Sequence, residues 1–248
     1  MRDSDRVREP IYLESGAKRV FACSIAWPGW ARSAKTEAAA LAALAAAAPR
    51  YGPIADLAGL GFDREMGQRI TVVDRLLGDT TTDFGAPSKA LPRDFETQSP
   101  EQIARDESLL RAIWTWFDRV LSLAPAELRK GPRGGGRDRD DIARHVLAAE
   151  SVYARRIGID TSRSDRVDPS AQSPIRTALL SRLQIRPADL KTPTAGRWPA
   201  PYALRRIAWH VVDHGWEIED RSAPGAQGLG ATPHSVASPL LASSESEV

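Results

Sequence analysis

The 248-residue chain has a single cysteine, Cys23, so no intramolecular disulfide can form, and that scarcity suits a reducing compartment. An excess of charge of one sign is also missing. Its 34 Lys and Arg against 32 Asp and Glu leave a formal net charge of +2, which argues against a dedicated nucleic-acid surface. There is no apolar run long enough to span a bilayer: the Ala-rich stretch from Ala38 to Ala48 is too short, and Glu37 and Arg50 flank it. The opening residues Met1-Arg2-Asp3-Ser4-Asp5-Arg6 lack the apolar segment of a signal peptide. These absences predict a globular, cytoplasmic protein with no membrane partner.

Histidine is scarce too, and its placement is informative. Of four histidines, His210 and His214 sit four residues apart in the apolar run Trp209-His210-Val211-Val212-Asp213-His214-Gly215-Trp216. Residues at that spacing project from one helix face about one turn apart, near enough for both rings to reach one ion. A third, His145, lies on the apolar stripe of a separate helical segment with Ile142, Ala149, Val152 and Tyr153. If the two helices pack side by side, three imidazoles meet and leave an open coordination position, the arrangement of a reactive rather than a closed structural site. His234 falls in a polar tail.

Patterning divides the chain into residues 1–97 of mixed α/β character, 98–222 of helices, and a Ser-, Ala-, Gly- and Pro-rich tail, 223–248, expected to be disordered. In the first part, Ile11 to Glu14 and Lys18 to Ile25 flank the turn Ser15-Gly16-Ala17 as a hairpin. A helix capped by Ser33 or Thr36 follows and is expected to stop at Pro49. A further helix is expected near Ile54 to Leu60, a strand at Arg69 to Asp74, and irregular chain from Gly78 to Gln98. In the second part, Ser99-Pro100-Glu101-Gln102 is a capping box with proline at the first helical position. Three more helices are expected: from about Arg139 to before Gly158, from Asp168-Pro169 or Ser173-Pro174, and from Pro201 to about Arg221.

Ligating histidines usually give their second ring N–H to an acceptor, and the candidates by spacing are Asp141 for His145 and Asp213 or Glu217 for the pair. The alternative for all three is ordinary helix-surface charge. The loop Arg133-Gly134-Gly135-Gly136-Arg137 combines exposed amides and cations before a helix, the ingredients of a carboxylate or phosphate pocket in which Arg133 or Arg137 would bind a cofactor. A flexible connection is the other reading of that loop.

One histidine on the second helix followed by HxxxH on the fourth, with Arg205 to Arg221 around the pair, resembles the DinB-like superfamily of metal-binding four-helix bundles, over roughly Gln98 to Arg221. That resemblance implies Zn²⁺ or Ni²⁺ held by His145, His210 and His214. It also implies a low-molecular-weight thiol, such as mycothiol, transferred to a small electrophile. Ala26-Trp27-Pro28-Gly29-Trp30 followed by Thr36-Glu37-Ala38 is similar to HicB-like domains. The expected class is therefore α+β, a small HicB-like α/β domain preceding a DinB-like bundle. The expected function is a thiol-dependent S-transferase or isomerase, with Glu217 or Asp213 assisting at the site and a homodimer as the assembly considered. A metal-dependent hydrolase and a noncatalytic HicB-like binding or antitoxin-type module are the alternatives.

Overall fold

The computed structural model describes residues 8–131, 134–161, 172–183 and 197–222. The tail with His234, Arg133 and the segment around Asp168-Pro169 lie outside them.

The hairpin forms as the alternation requires. β1 (Glu9–Ser15) and β2 (Val20–Ser24) pair antiparallel, from Ile11 opposite Ser24 to Ser15 opposite Val20. β3 (Ala31–Ala34) adds to β2, and β4 (Ile70–Leu77) returns parallel to β1, giving the order β3-β2-β1-β4. β3 was not expected. Its sequence Ala-Arg-Ser-Ala has no β-branched residue, so the ladder to β2 holds it rather than propensity.

Alternate residues bury both sheet faces. Ile11, Leu13, Val20 and Ala22 join the main core beneath α1 (Glu37–Leu57), while Tyr12, Phe21 and Cys23 pack with Leu91 and Trp209 on the other side. Thr36 caps α1 by accepting from the Ala39 amide. The helix runs through Pro49 and Pro53, where a stop was expected, and absorbs most of the separate helix expected near Ile54. Tertiary burial outweighs the helix-breaking cost of about 3 kcal/mol: Tyr51, Ile54 and Ala55 are fully buried, and the Tyr51 hydroxyl donates to the Pro28 carbonyl at 2.8 Å. The stretch expected to be irregular contains the short α2 (Thr80–Phe84), capped by Asp79, and a 3-10 turn at Pro92–Phe95.

α3 (Pro100–Leu123) opens with the expected capping box: Ser99 Oγ accepts from the Gln102 amide and Gln102 Oε1 accepts from the Ser99 amide. α4 (Arg139–Arg156), α5 (Gln172–Leu183) and α6 (Ala200–Ser222) follow, and the four helices pack on one another. The buried Glu150 carboxylate of α4 accepts from Trp114 Nε1 of α3 at 2.7 Å and from Arg176 Nε of α5 at 3.2 Å. Burial raises the pKa of Glu150 even against that arginine.

α6 is the common strut. Ile207, Val211 and Ile218 enter the main core with α3, and Trp209 meets Phe21 edge-on at 5.9 Å. The buried Arg205 guanidinium grips Asp94 through both of its terminal nitrogens. One apolar core runs from Ile11 and Trp30 through Ile113 and Phe117 to Ile218, across the junction at residues 97 and 98. The molecule is thus α+β, with six helices and one four-stranded sheet among the described residues. None of these helices is long and apolar enough to cross a membrane.

Candidate metal centre

The helical face of α6 turned toward α4 carries Arg206, His210, His214, Glu217 and Arg221, spaced by three or four residues. α4 packs beside it and supplies His145. His145 Nε2 and His210 Nε2 lie 3.2 Å apart, and one ligand atom from each of the three histidines falls within 4.8 Å of the others. Ring centroids are 4.6 to 5.0 Å apart, with the His214 ring nearly perpendicular to both others. Nitrogens around a tetrahedral zinc with bonds of about 2.0–2.1 Å are roughly 3.3–3.4 Å apart, so the closest pair already matches one edge of such a site.

The donor set fits a divalent ion on chemical grounds as well. Two unprotonated imidazole nitrogens facing each other repel unless a proton or a cation lies between them. His210 is 3% exposed, and its Nδ1, the nitrogen other than the one facing His145, has no partner, so Nε2 is the atom it offers to the cluster. Burial, then the neighbouring imidazoles, hold the His210 pKa well below its ordinary value. Burial followed by His214 and Arg137 lowers that of His145 to about 4, against the opposing pull of Glu217. Both rings are therefore neutral at pH 7, the form that binds metal.

Behind His214 stands a relay. His214 Nδ1 lies 2.9 Å from Glu217 Oε2, and Glu217 Oε1 accepts from Arg221 Nη1 at 2.7 Å. Burial alone would raise the Glu217 pKa, but the hydrogen bond and charge from His214 and then from Arg221 outweigh it and leave the carboxyl below its ordinary value. A carboxylate that accepts a hydrogen bond from Nδ1–H leaves His214 Nε2 with a free lone pair. Arg221 is itself fixed, its Nε donating to the Arg129 carbonyl at 2.9 Å.

Glu217 thus takes the position expected of it. Asp213, named beside it, does not: it pairs with Arg32 of β3 at 3.5 Å, because a residue next to His214 is turned roughly 100° around the helix. Asp141 bonds Arg144 on the exposed side of α4 rather than supporting His145. Arg137 comes near enough for its charge to depress both His145 and His210. Arg133 lies outside the described residues. In the glycine loop, Gly136 has φ 124° and sits where a Cβ would meet Arg221 Nη2 at 2.7 Å, so its bareness makes room for the relay. Sequence reasoning missed Arg206 and Arg221, although both continue the three- and four-residue spacing of the stripe.

No family model, curated protein or solved structure matches this chain.

Proposed function

We propose that the chain is a metal-dependent enzyme of the DinB-like type, a thiol-dependent S-transferase or isomerase acting on a small electrophile, with His145, His210 and His214 as ligands of Zn²⁺ or Ni²⁺. The observation that supports this most directly is the convergence of three imidazoles, two of them held neutral, on one point between α4 and α6. A divalent ion held there supplies the Lewis acidity that keeps a thiol deprotonated near neutral pH. The protein's own groups do the rest. Glu217 and Arg221 fix the tautomer and direction of His214, and the cluster meets solvent at the half-buried His145. Arg137, close by, favours ligands of negative charge.

Elemental analysis of the freshly purified chain tests the reading: about one equivalent of transition metal per chain is expected, and His210→Ala should remove it. The metal-loaded protein is then assayed for transfer of mycothiol or bacillithiol to a generic electrophile, with water alone as the control. Absence of metal from the wild-type chain overturns the reading. Turnover with water but with neither thiol replaces it by hydrolysis.

A further inference from the structure

α6 carries several largely buried arginines, and all but one of those described have an acidic partner or a role in the relay. Arg205 grips Asp94, and Arg221 bonds Glu217. Arg32, which reaches α6 from β3, pairs with Asp213. Arg206, one turn before His210, differs: among the described residues it has no carboxylate partner. Its Nη1 donates to the Pro87 carbonyl, which leaves the charge uncompensated, and its buried Nε has no acceptor.

Two aromatic rings stand against Arg206. The guanidinium carbon lies 4.9 Å from the Trp209 ring and 5.6 Å from the Tyr153 ring, positions in which aromatic faces stabilise a cation without neutralising it. These two rings also flank the metal centre, at 5.9 Å and 5.7 Å from the His210 ring. A guanidinium offers donors in a rigid fork that suits a carboxylate, and it keeps its charge at any physiological pH.

We infer that Arg206, held beside Tyr153 and Trp209, anchors a carboxylate of the small molecule that binds at the histidine centre. The ligand is a carboxylic acid with a second polar group a few bonds away, one end on Arg206 and the other reaching the three imidazoles. This rests on the proposed metal site for the second end only. The Arg206 end stands on its own contacts.

Calorimetric titration of the full chain tests the inference, with glutarate and its uncharged diamide as probes, on both metal-free and zinc-loaded protein. Glutarate should bind the zinc-loaded wild type more tightly than the diamide, and Arg206→Gln should weaken glutarate by roughly ten- to hundredfold, as loss of a charged hydrogen bond requires, with zinc stoichiometry unchanged. Arg206→Lys, which keeps the charge but not the fork, should fall between. If wild type prefers the diamide or treats both alike, the inference is overturned whether or not Arg206→Gln folds. Equal glutarate affinity in wild type and Arg206→Gln also overturns it while leaving the metal reading intact. Glutarate binding that depends on Arg206 in a chain that takes up no zinc sustains the anchor and removes the metal.

Discussion

At the scale of single residues, the carboxylate behind His214 is the test of whether the centre is built for an ion. Glu217 is not one of the three converging histidines, yet its Oε2 against His214 Nδ1 favours a proton on that nitrogen and leaves Nε2 for an ion. Glu217→Ala should therefore retain the fold and weaken zinc binding by roughly ten- to hundredfold, the usual cost of losing such an outer partner, as read by competition with a chromophoric chelator. An unchanged affinity would make the His214–Glu217 contact ordinary surface pairing. The two depressed histidines also predict a pH dependence for the metal-free chain. His145 and His210 bind protons less readily folded than unfolded, so the unfolded state takes up more protons as the medium turns acid. Their contribution to stability is then complete above the unfolded value of about 6.5 and is lost as pH falls through the folded His145 value of about 4. Urea unfolding at a series of pH values, with His145→Gln alongside, measures this: the variant should lose less stability than wild type over that interval.

Among the elements, α6 owes its position to what it lacks at one point. A Cβ on Gly215 would collide with the six-membered ring of Trp116, which lies against the bare backbone and brings α3 and α6 close beside His214. Gly215→Ala should cost about 1–3 kcal/mol, the usual penalty for overpacking a filled interface, seen as a lower thermal midpoint together with weaker zinc binding. A lower midpoint with zinc affinity untouched would uncouple that contact from the centre. The elements were legible in sequence where local chemistry and burial agree. Ser99-Pro100 with Gln102 opens α3, and the stripe of α6 places His210 and His214 on one face. They were illegible where tertiary contacts overrule local preference: β3 is held by its ladder to β2, and α1 survives two prolines because Tyr51 and Ile54 are fully buried. The same division runs through the site. The spacing of the histidines could be read, whereas spacing alone left Asp213 and Glu217 as alternatives, because nothing local announces that β3 brings Arg32 to meet Asp213. Arg206 reads as a solvated helix arginine until Tyr153 and Trp209 are seen to enclose it.

For the whole molecule the question is whether the sheet side and the helices stand or fall together. Chains of this length often unfold in more than one step, and the composition change near residue 98 suggests such a division. The packing opposes it. Trp30, Tyr51 and Ile54 share one core with Ile113, Phe117 and Val211, and the 1% exposed Asp94 reaches from the short turn before α3 to Arg205 of α6. Removing Asp94 leaves a guanidinium that is only 7% exposed without its counter-charge, a loss of about 3–5 kcal/mol for a buried pair broken on one side. Asp94→Ala should therefore lower a single transition, with far-UV circular dichroism and tryptophan fluorescence moving together and zinc released at the same denaturant concentration. The alternative has a distinct signature. If the fluorescence of Trp27 and Trp30 changes early while helical content and bound zinc persist, the sheet unfolds separately. The common core would then contribute little to holding α6 against α4.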